Sequence, residues 1–425
     1  MRQKASNAIY DVQERPPFLT WFGLSLQHLF SMFGATVLVP LLVGLNPGVA
    51  LFTSGVGTLL HLLITRGRIP AYMGSSFAFI IPMASLMKTI GYPAVAQGII
   101  SVGVVYLLVA LLVTVTGTKW INQIFPPEVV GPIIMVIGLS LAGSAASSAT
   151  MLNNHYDIRV FLVALVTLLA TIGFNMFLSG FWGLMPVLLG IIFGYIVALI
   201  VGLVDLQPVI NAQWFALPNF ESFMDKDGFK FYPAAVLSMA PLALVTLSEH
   251  LGHLMVLNKI TGHDFFENPG LKRTLTGDGT ASVVAGLIGG PAVTSYGENI
   301  GVMQLSRVYS VWVIGGAAFF AVIFGFVGKL SSLISTIPGA VTGGVGFMLY
   351  GVIAAAGLQV IVDNKVDYSR KRNLMIAAPI LVVGIGNFHL QLGSQMDFSG
   401  VAIATVLGII LNICLPRVAA SEKED

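Results

Sequence analysis

The feature that most constrains the fold of this chain is a succession of long apolar runs, separated only by short segments rich in Gly, Pro and Asn. Of the 425 residues, 56% are hydrophobic and 9% are charged. Soluble domains carry about 25% charged residues. A soluble core of this size could not enclose so many apolar side chains, so the lipid bilayer is the expected solvent.

The apolar runs divide into fourteen segments, of which most approach the roughly 20 apolar residues that cross a bilayer. We predict spans at 18–45, 47–65, 69–88, 93–116, 126–147, 159–178, 181–204, 233–257, 271–289, 290–305, 308–330, 337–360, 373–390 and 398–416. The first run is too long for a signal-peptide core of about 7–15 residues, so we interpret it as a retained span. The predicted fold class is an all-α polytopic membrane protein, with short extended strands in spans 3 and 10.

The distribution of positive charge tests this count. With both termini in the cytoplasm, sixteen of the 21 Lys and Arg residues fall on the inner side, which is the bias expected of cytoplasmic loops. We therefore expect a multi-pass protein of the bacterial inner membrane, with cytoplasmic tails at 1–17 and 417–425 and an extracytoplasmic connection at 205–232. The basic residues are too scattered to form a nucleic-acid face. The single cysteine, Cys414, allows no intramolecular disulfide.

The two halves of the chain show weak similarity to each other. Gln27-His28-Leu29 aligns with Glu249-His250-Leu251, and Gly57-Thr58 aligns with Gly279-Thr280, both at an offset of 222 residues. The predicted repeats are 18–204 (spans 1–7) and 233–416 (spans 8–14). A repeat of seven spans ends on the opposite side of the membrane from its start, so the second repeat must have the inverted orientation. Inverted repeats of this kind are typical of secondary transporters.

In such folds the substrate site lies near the bilayer midplane, where spans of both halves are interrupted. Span 3 continues from Pro70, and span 10 from Pro291, through small, polar and aromatic residues that suit a short strand better than a helix. Non-helical backbone at membrane depth is tolerated only inside protein or beside a wet cavity. We expect the two strands to meet inside the bundle, followed by half-helices whose N-terminal N–H groups face the gap. Glycine-rich helix packing without a ligand is the alternative.

Two carboxylates, Glu249 and Glu298, lie deep in apolar sequence, where a charge costs at least ~2.5 kcal/mol. His253 follows Glu249 by one helical turn and shares its face. A buried carboxylate beside a titratable imidazole can exchange a proton near neutral pH, so Glu249 and His253 are the predicted proton-coupling pair. Purely structural hydrogen bonding is the alternative for these three residues. Three other ionisable residues are interpreted as structural: Glu128, Asp278 and His28.

The sequence resembles the nucleobase–ascorbate transporter (nucleobase:cation symporter) family, and within it the uracil permeases. The resemblance covers essentially the whole chain and is carried by residues 27–28, 74–79, 248–253 and 296–301. The family motif is Gln/Glu/Pro-Asn-x-Gly, then four residues, then Thr-Arg/Lys/Gly. Here it reads Glu298-Asn299-Ile300-Gly301 and then Ser306-Arg307, with serine in place of threonine. Purine and urate members usually carry Gln at the position of Glu298, whereas uracil members carry Glu.

The resemblance implies a core domain of spans 1–4 and 8–11, a gate domain of spans 5–7 and 12–14, and often a homodimer through the gate side. It also implies that Glu249 and Glu298 bind the base, that Phe77 and Tyr296 flank it, and that Tyr350 closes the gate side. Backbone N–H groups near Phe77 and Gly297 are expected to serve the carbonyl groups of the base. Four neighbouring residues have a structural or undecided role: Gln27, His28, Ser76 and Asn299.

The expected function is uptake of uracil together with a proton by alternating access, with H⁺ as coupling ion and no cofactor or metal. A purine, xanthine or other pyrimidine symporter and a passive nucleobase channel are the alternatives. An anion exchanger of related fold is disfavoured, because two midplane carboxylates would repel an anion. An enzyme is not expected, since the sequence has no His-Glu-x-x-His motif and its lone cysteine lies at a span end.

Overall fold

The computed structural model describes residues 8–117, 119–386, 388, 390–392 and 396–416. The predicted tail at 417–425 and residues 1–7 of the N-terminal tail lie outside the described residues. The first half contains α1 (Phe18–Val43), α2 (Pro47–Ile64), β1 (Met73–Ser75), α3 (Ile80–Thr89), α4 (Tyr92–Thr116), α5 (Lys119–Ile124), α6 (Pro127–Ser140), α7 (Ala142–Thr150), β2 (Met151–Leu152), β3 (His155–Tyr156), α8 (Ile158–Phe177), α9 (Pro186–Ile200) and α10 (Gln207–Asn211).

The second half is also mostly helical. It contains α11 (Pro233–Thr261), α12 (Leu271–Leu287), β4 (Val293–Ser295), α13 (Gly297–Ser306), α14 (Val311–Gly325), α15 (Gly328–Ser335), α16 (Gly339–Asp363), α17 (Lys371–Ile385), β5 (Leu390–Leu392), β6 (Met396–Phe398) and α18 (Gly400–Cys414). Short 3₁₀ turns occur at Phe77–Phe79 and Trp182–Leu184, and a π turn occurs at Phe266–Gly270.

Within the described residues, seven helices are long and apolar enough to cross a membrane. They are Phe18–Val43, Pro47–Ile64, Tyr92–Thr116, Pro127–Thr150, Ile158–Phe177, Pro233–Thr261 and Gly339–Asp363. Four shorter apolar helices are Phe77–Thr89, Pro186–Ile200, Val311–Gly325 and Gly400–Cys414. All of them overlap predicted spans, so the multi-pass membrane character is confirmed. The count of fourteen spans stays a prediction.

The turn between the first two helices shows how local sequence sets their ends. Gly44 adopts a left-handed conformation (φ 86°) and donates its N–H to the Pro40 carbonyl, which ends α1. The Asn46 side chain then accepts the N–H groups of Gly48 and Val49, with Pro47 at the first helical position of α2. Two spans are thereby joined by a tight connection.

Helix packing follows the same pattern in both halves. The contact of α2 with α14 corresponds to the contact of α12 with α4. In the same way, α1 packs against α14 and α9, and its counterpart α11 packs against α4 and α18. Helix α8 packs on α9 as α17 packs on α18, and α16 packs on α8 as α6 packs on α17. Two further contacts, α2 with α12 and α6 with α16, join equivalent helices of the two halves.

The crossing of α4 and α12 depends on two glycines. A β carbon added to Gly103 would lie 2.5 Å from the Gly279 carbonyl oxygen, and one added to Gly279 would lie 2.8 Å from the Gly103 carbonyl oxygen. Small residues at such crossings let membrane helices approach at backbone distance. The crossing therefore fixes α12, which carries Asp278, against α4.

The strands predicted in spans 3 and 10 are present and meet. β1 and β4 pair antiparallel, with Met73 opposite Ser295 and Ser75 opposite Val293, and all six strand residues are buried. The Met73 carbonyl accepts the Ser54 hydroxyl of α2 (2.9 Å), and the Val293 carbonyl accepts the Ser282 hydroxyl of α12 (2.8 Å). Helix hydroxyls thus satisfy strand carbonyls that water cannot reach.

Candidate functional site

A small cavity opens where the two paired strands end and the following half-helices begin. Its walls come from the β1 end and the turn after it, from α6, α11 and α16, and from β4 with the start of α13. The lining residues are Ser75, Ser76, Phe77, Ala78, Ile134, Ile137, Glu249, Thr294, Ser295, Tyr296, Gly297, Glu298 and Ile353. Both halves of the chain therefore contribute to one cavity, as the interrupted spans predict.

Two helical N-termini point their first residues into this cavity. The 3₁₀ turn Phe77–Phe79 leads into α3, and α13 begins at Gly297; neither start has a side-chain cap. The first N–H groups of a helix have no intrahelical acceptor and carry partial positive charge. The cavity therefore has backbone donors on two sides, suited to carbonyl oxygens of a bound molecule.

Glu249 projects from α11 into the cavity, and 42% of its side chain is exposed. His253 Nε2 lies 3.9 Å from Glu249 Oε1, and His253 Nδ1 lies 3.3 Å from Ser295 Oγ. Gly297 makes room for this ring, because a β carbon there would lie 2.9 Å from His253 Nε2. The imidazole thus sits between Glu249 and strand β4, as the helical spacing predicts.

Glu298 reaches the same cavity from the first turn of α13, where its side chain is exposed. Among the described residues, neither Glu249 nor Glu298 forms an ion pair with a Lys or Arg. The side chain that can carry a positive charge next to Glu249 is His253. The two carboxylates that sequence reasoning singled out are therefore both free to accept hydrogen bonds from a ligand.

Phe77 lines another side of the cavity and packs on Tyr350, which is not among the lining residues. The rings of Phe77 and Tyr350 meet edge to face, with centroids 6.5 Å apart and planes at 72°. Tyr350 lies on α16 and is 3% exposed. With Ile134 and Ile137 of α6 nearby in the lining, this side offers apolar surface to a flat ring.

Tyr296 lines the cavity, but its ring also packs into the strand crossing. A β carbon added to Gly74 would lie 2.3 Å from Tyr296 Cζ, so only glycine leaves room for the ring. The Tyr296 hydroxyl donates to the Ser75 carbonyl oxygen at 2.9 Å. The side chain thus holds β1 and β4 together, and its flanking of a bound base stays a prediction.

Three of the residues of undecided role occupy a layer behind the half-helices, while Ser76 lines the cavity itself. His28 Nδ1 donates to Asn299 Oδ1 at 2.7 Å, and Asn299 Nδ2 donates to the Pro70 carbonyl at 3.3 Å. Both side chains are fully buried, and Gln27 is 8% exposed. Through His28 and Asn299, α1 is connected to α13 and to the backbone just before β1.

Sequence reasoning missed one group of ionisable residues. Asp278 Oδ1 lies 2.9 Å from His61 Nδ1, and Asp278 Oδ2 lies 2.9 Å from His250 Nδ1, with side chains that are 0–2% exposed. Asp278 is therefore not at an exposed span end. The available signal was its place in α12, where the nearest basic residues, Lys272 and Arg273, are more than one turn away. A carboxylate at membrane depth needs a partner. No metal-binding group of three or more His, Cys, Asp or Glu is found among the described residues.

Comparison with known sequences places the chain in a defined family. Residues 19–393 match the family profile described as Permease family (Xan_ur_permease). The chain is 51% identical to the protein named uracil permease of Bacillus subtilis (strain 168), covering 97% of this chain and 96% of that protein. It is 49% identical to the uracil permease of Bacillus caldolyticus, covering 98% and 96%.

Solved structures show the same fold at low sequence identity. The transmembrane domain of the cyanobacterial bicarbonate transporter BicA superposes with a TM-score of 0.64 at 14% identity, covering 95% of this chain and all of that domain. The murine anion transporter Slc26a9 in its inward-facing state gives a TM-score of 0.71 at 11% identity, covering 94% of this chain and 68% of that protein.

Proposed function

The chain belongs to the Permease family, and from that premise we propose that it takes up uracil together with a proton by alternating access. The observation that carries the proposal is the convergence of Glu249 and Glu298 on one cavity between the paired strands. Full-length relatives at 51% and 49% identity named uracil permease support uracil as the substrate.

The cavity suits the chemistry of uracil, a flat neutral ring with two N–H donors and two carbonyl acceptors. Carboxylates accept N–H groups in charge-assisted hydrogen bonds, which are roughly twice as strong as neutral ones. Glu249 and Glu298 supply such acceptors, and the uncapped starts at Phe77 and Gly297 supply backbone donors for carbonyl oxygens. The Phe77–Tyr350 pair supplies apolar surface for the ring.

Proton coupling is proposed for Glu249 with His253. The two side chains are one helical turn apart and 3.9 Å from each other, so a proton on one changes the charge seen by the other. Protonation of Glu249 would remove one of the two negative charges of the loaded site and permit it to move against the surrounding helices. One proton with a neutral substrate carries one net charge, so a potential of about 100 mV supplies about 2.3 kcal/mol, or roughly forty-fold accumulation.

We propose fourteen spans arranged as two inverted repeats of seven, with a core domain of spans 1–4 and 8–11 and a gate domain of spans 5–7 and 12–14. The matched helix packing in the two halves supports this arrangement, because the contacts compared above come in pairs, one contact becoming the other when the two halves are exchanged. The cavity would then lie between the domains, with α6 and α16 on the gate side. Cytoplasmic termini, residence in the bacterial inner membrane and a homodimer through the gate side belong to the same proposal.

Uptake by purified protein in sealed liposomes tests the function. We expect labelled uracil to accumulate when the interior is alkaline and negative, and a protonophore to abolish accumulation. Unlabelled uracil should compete fully and xanthine should not. Competition by xanthine would instead assign a broader nucleobase carrier. Uptake that equilibrates without exceeding the external concentration would indicate a passive channel and contradict symport.

A further inference from the structure

Next to the substrate cavity, three buried ionisable side chains from three different helices meet. Asp278 of α12 lies between His61 of α2 and His250 of α11, with 2.9 Å from each carboxylate oxygen to the nearest imidazole Nδ1. The exposed fractions are 1% for Asp278, 0% for His61 and 2% for His250. Charged groups buried this completely in membrane proteins commonly mark ion or proton pathways.

Each ring nitrogen of His250 has a polar partner. Thr274 Oγ1 donates its only hydrogen to the Leu271 carbonyl oxygen at 2.9 Å, so it accepts from His250 Nε2, which is 2.9 Å away. The hydrogen bond of Nδ1 is to Ser295 Oγ at 3.2 Å, and Asp278 Oδ2 lies 2.9 Å from the same nitrogen, at ion-pair distance. A proton on His250 would therefore lie next to a carboxylate, so the pair can hold one proton as an ion pair.

A single hydroxyl joins this cluster to the cavity. Ser295 Oγ, in strand β4, lies 3.2 Å from His250 Nδ1 and 3.3 Å from His253 Nδ1. His253 Nε2 in turn faces Glu249 at 3.9 Å. Imidazole and hydroxyl groups both donate and accept hydrogen bonds, so they can pass a proton along a chain.

The remaining polar group facing the cluster is on α4. Tyr106 is 1% exposed and lies close to Asp278, Glu249 and Thr246. The titratable groups around Asp278 among the described residues include His61 from α2, Tyr106 from α4, and His250, His253 and Glu249 from α11. Within the described part of the chain, no Lys or Arg forms an ion pair with Asp278.

We propose that the His61–Asp278–His250 cluster is the proton-exchange partner of the transport site, connected to Glu249 through Ser295 and His253; this rests on the proton coupling proposed above. In the forward step His250 Nδ1–H passes to Ser295 Oγ while the Ser295 hydroxyl hydrogen passes to His253 Nδ1. His253 Nε2–H then passes to Glu249 as the two side chains approach. His250 ends neutral and Glu249 ends protonated, so the net charge of the group is unchanged.

The test separates proton-driven accumulation of labelled uracil from uracil exchange at equal pH, since exchange moves the loaded site without net proton transfer. In proteoliposomes we expect Ser295→Ala to lower the ratio of accumulation to exchange, whatever its effect on exchange itself, and Ser295→Thr, which keeps the hydroxyl, to restore that ratio. His250→Gln and Asp278→Asn should also lower the ratio. The control is His263→Gln, whose imidazole contacts Asp11 at 3.0 Å outside the network; it should behave as wild type.

The outcomes distinguish the two proposals. If wild-type protein fails to accumulate uracil against a gradient, the proposed symport is wrong. If wild type accumulates and Ser295→Ala accumulates equally, the connection through Ser295 is overturned. A fall of accumulation and exchange in equal proportion in Ser295→Ala, with uracil still stabilising the protein against heat, would also overturn it. Ser295→Ala removes no charge, so it decides the question even where Asp278→Asn does not fold.

Discussion

The rings of Phe77 and Tyr350 meet edge to face beside the cavity, with centroids 6.5 Å apart, and so join the interrupted segment of the first half to α16 of the second. The two residues are far apart in the sequence, so the local sequence around either one does not predict their contact. Because Phe77 is only partly buried and follows the end of β1, it offers an accessible face to a ligand ring beside Glu249.

Replacing Phe77 by alanine should weaken uracil binding. Stacking of a base on an aromatic side chain is worth about 1–3 kcal/mol by alanine substitution, which corresponds to roughly 5- to 150-fold in affinity. Phe181→Ala is the control, because Phe181 is 46% exposed, contacts Trp182 and does not line the cavity. Calorimetric titration of both purified variants with uracil measures the difference. Equal affinities would show that Phe77 is not part of the binding surface.

Replacing Glu298 by glutamine should weaken uracil binding by about fivefold, because a hydrogen bond to a charged acceptor contributes roughly 1 kcal/mol more than a neutral one. Glu249→Gln should lose proton-driven accumulation as well, since glutamine cannot take up a proton. Binding by titration and uptake in proteoliposomes separate the two effects. Proton-driven accumulation by Glu249→Gln would assign coupling to another group.

Replacing Gly103 by alanine should destabilise the protein, because the added methyl group would lie 2.5 Å from the Gly279 carbonyl oxygen and 2.6 Å from Val283 Cγ2. Overpacking of this kind typically costs about 1–3 kcal/mol. Gly23→Ala in α1 is the matched control, since nothing lies within 4 Å of a β carbon there. A Gly103→Ala protein that melts at the same temperature as Gly23→Ala would show that the crossing can open without cost.

Replacing Arg372 by alanine should loosen the packing of α17 against α6 and α18. Its guanidinium donates to Glu128 Oε1 at 3.2 Å and to the carbonyl and side-chain oxygens of Asn412 at 2.8 and 2.7 Å. Loss of such charged hydrogen bonds costs about 1.5–3 kcal/mol.

Arg370→Ala is the control for this change, because Arg370 and Asp367 form an exposed pair at 3.5 Å. Exposed ion pairs contribute about 0–1 kcal/mol. Thermal unfolding in detergent compares the two variants, and equal midpoints would mean that Arg372 is not a structural tether.

The cavity residues illustrate what could be predicted from the sequence. Glu249, His253 and Glu298 stand out because carboxylates and imidazoles are costly in apolar sequence, and the structure brings all three to one place. The strands at Met73–Ser75 and Val293–Ser295 were predictable because the small and polar residues there are poor helix formers and are unfavourable in contact with lipid. Asp278 was assigned a structural role because it lies closer to the end of a predicted span, and its partners His61 and His250 cannot be identified from the sequence.

The sequence alone determined that the chain crosses membranes, that two segments are interrupted, and that Glu249 and Glu298 lie deep in apolar sequence, because these properties depend on the local content of apolar, small and charged residues. The tertiary structure alone decided that His61 and His250 converge on Asp278, that one Ser295 hydroxyl lies between two histidines, and that the Tyr296 ring fills the space above Gly74. The physical reason is that such contacts depend on how helices rotate and cross, and backbone approach at Gly103 and Gly279 is set by the whole bundle rather than by neighbours in the chain.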